Sequence, residues 1–246
     1  MRLVLLPGLN GGSALFAPLL AELGDIDCQV LELPEHGPQD YDALAHKIAE
    51  RLPSTPFVLL GESFSGPVAY RLAMRKPPGL QGVIFAASFL IAPGAALPLL
   101  KRLPISLRLA TQPWLLRAMC LGQNASDQTL QLVQKEIRGL DKALIRARLH
   151  TLATLQAPLQ RLDLPALHLW PQRDRLVAHK VARQLAHACS DIRQPCLEGL
   201  HFILQTQPQR CAQEISGFMQ EAEKRHMPLP AQRFLEEGNG QLALRL

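Results

Sequence analysis

The fold class predicted by the sequence is an open, mostly parallel β-sheet with helices on both faces and one inserted helical block. Three observations predict it. Short apolar runs that stop at Pro or Gly alternate with stretches of helical spacing. The alternation stops after Pro93 and resumes at residue 166. No apolar run reaches the ~18 to 20 residues that would span a bilayer.

The run RLVLL at 2–6 ends at Pro7-Gly8 and reads as a buried parallel strand. Residues 14–23 carry apolar side chains at helical spacing, and CQVLEL at 28–33 is a second strand ending at Pro34. Residues 40–52 are helical, with Leu44, Ile48 and Leu52 on one face. FVLL at 57–60 is a third strand, followed by GESFSGP and a helix over 66–74; LQGVIFAA at 80–87 is a fourth. From 94 to 160 only helical patterns occur, at 98–108, 114–120, 128–138 and 142–155. ALHLW at 166–170 resumes the sheet; a helix at 177–189, a strand at 193–197 and a final helix at 203–223 follow. The expected organisation is a core of 1–93 and 161–226, a helical insertion of 94–160 and a tail of 227–246.

At 246 residues, with 48% hydrophobic and 19% charged, the chain can bury a core of one large α/β domain, and general disorder is excluded. Five cysteines are an odd number without a C-x-x-C pair, which argues against a disulfide framework or a zinc site and for a cytoplasmic location. The apolar start is about four residues long before Pro7-Gly8, too short for a secretory signal. A net charge of +5 with 5% aromatics excludes a dedicated nucleic-acid binder.

Gly61-Glu62-Ser63-Phe64-Ser65-Gly66 stands where a buried strand turns into a helix. A serine there projects its hydroxyl above the carboxyl ends of the strands, and small neighbours let strand and helix approach. This is the G-x-S-x-G nucleophile elbow, with Ser65 in place of the last Gly, and through it the chain resembles the α/β-hydrolase superfamily. A serine needs a base, and the base needs an orienting carboxylate. The superfamily order is serine, acid, histidine. Asp174, in the loop after ALHLW, falls where the acid is expected, and His201, in Glu198-Gly199-Leu200-His201-Phe202, falls where the base is expected.

The rivals are weaker. His46, His150, His179 and His187 lie in helical patterns, His168 lies inside a strand, His226 is near the tail, and His36 matches a loop whose role in the superfamily is structural. Residues 86–93 hold no carboxylate, Asp163 precedes its strand, and Glu198 is too close in sequence to orient His201. A serine at 63 excludes the aspartate nucleophile of superfamily dehalogenases. P-G-L-N-G-G after the first strand lacks the dinucleotide-binding G-x-G-x-x-G spacing. No metal or organic cofactor is implied.

By resemblance, the loop after the first strand supplies half of an oxyanion hole, with the backbone amides of Leu9 and Phe64 as donors. Gly8 fits that pattern; Pro7 stands where many relatives carry His, and Pro171 where many carry Gly. The insertion would be a lid whose apolar residues, among them Ile91, Leu103, Trp114, Leu116 and Met119, line an acyl pocket or pack lid on core.

From 94 to 160, Lys101, Arg102, Arg108, Arg117, Lys135, Arg138, Lys142, Arg146 and Arg148 face only Asp127, Glu136 and Asp141. Such a basic lid is either a solvated helix face or a surface for an anionic partner: an acidic acyl-carrier protein, a CoA tail or an anionic lipid surface. In length, lid position and motifs, residues 1–223 resemble small bacterial serine esterases related to the pimeloyl-[acyl-carrier protein] methyl ester esterases. The expected activity is cleavage of a small-molecule carboxylic ester or thioester. The alternatives are an acyltransferase with the same triad and a non-hydrolytic small-molecule binder.

Overall fold

The computed structural model describes residues 1–93 and 107–226. The core is a parallel sheet built from β1 (Arg2–Leu6), β2 (Cys28–Val30), β3 (Phe57–Glu62), β4 (Leu80–Ala86), β5 (Leu162–Pro171) and β6 (Cys189–Arg193), in the order β2-β1-β3-β4-β5-β6. A two-residue strand, β7 (Cys196–Leu197), pairs with the end of β5, and among the described residues every strand pairing is parallel. Parallel neighbours need crossovers, and the helices between them cover both faces.

Alternation along the strands divides the core. Val4, Leu6, Leu59, Val83 and Phe85 face one way and pack with Leu44 and Ile48 of α2 (Tyr41–Ala49), Val68 of α3 (Gly66–Met74) and Leu185 of a later helix. Leu3, Leu5, Val58, Leu60 and Ile84 face the other way, against Leu19 of α1 (Ala17–Glu22) and Ile215 and Phe218 near the C-terminus. Central strands must therefore be apolar on both faces, which β3 is, with all six residues buried.

The block between β4 and β5 contains α4 (Leu107–Ala110), α5 (Pro113–Leu116), a π-helical turn (Arg117–Leu121), α6 (Asp127–Gly139) and α7 (Lys142–Ala153). No strand occurs here among the described residues, as the periodicity predicts. Side-chain caps start the two long helices: Ser126 accepts from the Thr129 N–H and Asp141 from the Leu144 N–H. Leu116, Leu121, Leu130 and Val133 pack on Leu15, just after the first strand. Trp114, expected to line a pocket or pack on the core, is instead 63% exposed, and Leu109 is 55% exposed. The segment expected to be helical at 98–108 lies mostly outside the described residues, as do Lys101, Arg102, Leu103 and the tail.

After β5 come α8 (His179–His187), α9 (Ile203–Thr206) and α10 (Pro208–His226). Two sequence expectations change here. The strand expected at 193–197 is two strands, the first starting at Cys189, because β6 is an edge strand whose pattern has only one fully buried residue. The single final helix is broken at Gln207, with Pro208 opening the next helix, where its missing N–H goes unneeded. Among the described residues, no helix is long and apolar enough to cross a membrane.

Candidate active site

Ser63 follows directly on β3 and has φ +45°, a left-handed conformation rare for a side-chain-bearing residue. The turn is shaped by two glycines. A Cβ at Gly61 would meet Ser65 O at 2.6 Å, and one at Gly66 would meet Ser88 Oγ at 1.8 Å. Ser65, which departs from the elbow pattern, uses its hydroxyl: it donates to the Pro7 carbonyl and ties the elbow to the loop after β1. The Ser88 hydroxyl donates to Ser63 O at 2.7 Å.

The three residues predicted from separate parts of the sequence meet at the carboxyl ends of the strands. Ser63 Oγ lies 2.8 Å from His201 Nε2, and His201 Nδ1 lies 2.8 Å from Asp174 Oδ2. Asp174 Oδ1 accepts the amides of Leu176 and Val177 at 2.8 and 3.0 Å. The His201 and Asp174 side chains are 9% and 4% exposed. Burial alone would lower the His201 pKa, but the Asp174 charge, its hydrogen bond and the charge of Glu62 together raise it above that of an ordinary imidazole. At Asp174 burial acts to raise the pKa and is outweighed by His201 and the two amides, so the carboxyl titrates below its ordinary value.

The rival groups lie elsewhere. Burial pushes His168 down to about 4, and its Nδ1 pairs with the Gln194 amide at 3.0 Å. Glu198 pairs with Arg173 at the surface. Asp163 lies within β5 rather than before it, yet near that strand's first residue, away from the carboxyl ends, where Ser190 donates to it. Among the described residues, no cluster of three or more His, Cys, Asp or Glu side chains forms a metal site.

The loop 7–12 is hydrogen-bonded almost throughout. Pro7 O accepts from Ser65, and the Gly8 N–H donates to Glu62 Oε2 at 3.3 Å. Gly8 O accepts the Gly11 N–H at 3.0 Å, and Leu9 O accepts Arg148 Nη1 at 2.8 Å. Leu9 N–H has no protein acceptor among the described residues. Because a trans peptide sets its C=O and N–H antiparallel, the Gly11 bond to Gly8 O also fixes where the Leu9 N–H points. Phe64, at the second position of the 3₁₀ turn Ser63–Ser65, has an N–H that such a turn leaves without an internal acceptor. Its ring packs against Tyr41 with centroids 5.0 Å apart.

Sequence reasoning missed two buried charged residues here. Glu62, 6% exposed, accepts from Gly8 and, at 2.9 Å, from Gln205 Nε2, so it joins the elbow to the loop after β1 and to α9. Burial raises its pKa against the pull of Gln205, His201 and Gly8. Arg148, grouped above with the basic surface of the insertion, is 0% exposed. Both left a trace: Glu62 ends an otherwise apolar strand, and Arg148 shares the buried stripe of Ile145 and Leu152. Arg117 is also largely engaged, with Asp127 at 2.6 Å and the Ala125 carbonyl. The exposed cations on α6 and α7 are thus Lys135, Arg138, Lys142 and Arg146.

A parallel sheet with helices on both faces, a left-handed serine at the end of its third strand and a histidine facing it define an α/β hydrolase. More narrowly, the chain belongs to the Hydrolase_4 family, described as serine aminopeptidase S33, whose model matches residues 35–204. The fold is similar to that of a thermophilic esterase from Thermogutta terrifontis (TM-score 0.76, 16% identity, 90% of each chain covered). It is also similar to the enol-lactonase from Burkholderia xenovorans (TM-score 0.75, 16% identity, 89% of this chain and 91% of that one). A third likeness is to BorB, the type II thioesterase from the borrelidin biosynthetic cluster (TM-score 0.62, 20% identity, 89% and 91% covered). At such identities the likeness is one of fold. No curated protein matches the chain.

Proposed function

We propose that the protein is a serine hydrolase that cleaves a small-molecule carboxylic ester or thioester through an acyl-serine intermediate. The observation that carries this is the unbroken chain from Ser63 Oγ through His201 to Asp174, at 2.8 Å for each link.

His201 Nε2 takes the Ser63 proton as Oγ attacks the acyl carbon, and Asp174 holds the ring with Nδ1–H toward the carboxylate and Nε2 free to accept. The carbonyl oxygen becomes negative and is met by the Leu9 and Phe64 amides, donors already in place before reaction. Collapse breaks the bond to the alcohol or thiol, which leaves with the proton from His201. Water then gives a proton to His201 and attacks the acyl-serine; the carboxylic acid departs and the proton returns to Ser63. No step calls on a cofactor. In this reading the inserted helices form the lid over the acyl group. The exposed cations Lys135, Arg138, Lys142 and Arg146 suit an anionic leaving group such as an acyl-carrier protein or CoA.

A panel of p-nitrophenyl esters, acyl-CoA and acyl-carrier thioesters, with Ser63→Ala as control, tests the reading. Turnover lost in Ser63→Ala, together with labelling of Ser63 by a fluorophosphonate, supports it. Equal turnover in both proteins, or no labelling, overturns it. Transfer to added alcohols or amines in preference to water would make the protein an acyltransferase instead.

A further inference from the structure

We propose that Arg148, on the inserted helix α7, is a positioning residue for the Leu9 amide, so that the insertion sets the rate of the acyl-transfer steps as well as covering the substrate. The inference rests on the reading of Leu9 N–H as an oxyanion donor.

Arg148 comes from a helix outside the sheet, yet its side chain ends inside the protein, fully buried. Its three guanidinium nitrogens donate to uncharged oxygens: Nε to Gln39 Oε1 at 3.0 Å, Nη1 to Leu9 O at 2.8 Å and Nη2 to Pro34 O at 3.0 Å. Burial works against the Arg148 charge and the Glu35 carboxylate nearby only partly offsets it, so an apolar side chain would pack the same helix at less cost. What an apolar side chain cannot do is tie two separate loops together, the one after β1 through Leu9 O and the one after β2 through Pro34 O and Gln39 Oε1, which the rigid guanidinium fork does.

The acceptor that matters is Leu9 O. With Gly11 N–H on Gly8 O and Arg148 on Leu9 O, the peptide planes on both sides of the Leu9 Cα are fixed, and the Leu9 N–H direction with them. The loop is shaped around the guanidinium: Gly11 has φ +78°, and a Cβ there would meet Nη1 at 2.4 Å. The neighbouring helix α6 grips the same loop independently, with Glu136 Oε2 accepting from Asn10 Nδ2 at 3.4 Å. Two inserted helices thus hold two successive residues, Leu9 and Asn10, of the loop that carries the donor.

The test compares Arg148→Met and Arg148→Lys with the parent, using a short neutral p-nitrophenyl ester and a trifluoromethyl ketone whose adduct places an oxyanion in the hole. Arg148→Met should lose kcat by about a hundredfold, the scale of one misplaced oxyanion donor. KM should stay within about threefold, and the ketone should bind more weakly by a factor similar to the loss in kcat. Lysine keeps the charge but not the fork, and should lose kcat roughly tenfold; it carries the test if the methionine chain does not fold. Parental kcat in either folded variant, or a fallen kcat with unchanged ketone affinity, overturns the proposal. Failure of the underlying reading shows differently, as parental turnover that survives Ser63→Ala.

Discussion

Asp174 divides its two oxygens between partners: Oδ2 faces His201 Nδ1 at 2.8 Å, and Oδ1 is occupied by the amides of Leu176 and Val177. The carboxylate cannot rotate without breaking two backbone hydrogen bonds, so the ring it faces is held in one tautomer. Asp174→Asn should keep the fold and lower kcat by roughly 10³ to 10⁴-fold, since an amide can present its N–H to Nδ1 and invert the tautomer. Steady-state kinetics beside a thermal melt checks this; a loss under tenfold in a folded protein would contradict it.

The acid limb of kcat/KM should lie at higher pH than an ordinary imidazole would set it, because His201 must be neutral to accept the serine proton and its pKa is raised by Asp174 and Glu62. The sign is set by charge: a neighbouring carboxylate favours the protonated ring, so activity falls at a higher pH than for an isolated imidazole. Glu62→Gln removes one of the two charges and should move the limb toward lower pH. A pH-rate profile of both proteins decides, and an unmoved or upward-moved limb would count against it.

Gly66→Ala should destabilise the protein by about 2 kcal/mol or more through overpacking against Ser88. Adding Ser88→Gly removes the two nearest obstacles, Oγ at 1.8 Å and Cβ at 2.8 Å, and should recover part of the loss. Denaturant unfolding of the single and double variants measures the recovery; additive losses would show that the contact is not the cause.

Asp141→Ala removes the cap on the Leu144 N–H and should lower stability by about 1 kcal/mol. Because α7 also carries Arg148, part of that change should appear as lower kcat. Melts and kinetics on one preparation separate the two effects.

Thiol reagents should spare the enzyme. Cys196 is exposed, while burial pushes Cys120, Cys189 and Cys211 up to about 12, where thiolate is scarce. Iodoacetamide should modify Cys196 first, by mass spectrometry, with hydrolysis unchanged.

What could be read ahead of the structure was local. The elbow announces itself through small residues next to FVLL, and Asp174 sits just beyond the apolar run ALHLW, whereas His201 shows only through the likeness of Glu198-Gly199-Leu200-His201-Phe202 to the superfamily's base position. Arg148 could not be placed that way. Its acceptors lie 109, 114 and 139 residues away, and an arginine in a basic helix reads as solvated until the tertiary structure closes over it. The start of β6 is hidden for a related reason: an edge strand with one fully buried residue lacks the apolar run that marks β3. The basic insertion changed most. The charge counted along the chain included one guanidinium that belongs to the interior.

The serine and the histidine that faces it are 138 residues apart in the chain. During synthesis Ser63 emerges well before His201, and the histidine cannot reach it until β5 and α9 have docked on a sheet begun at β1. In the proposed mechanism acyl transfer is therefore withheld until the segment carrying His201 has docked against the strand that carries Ser63.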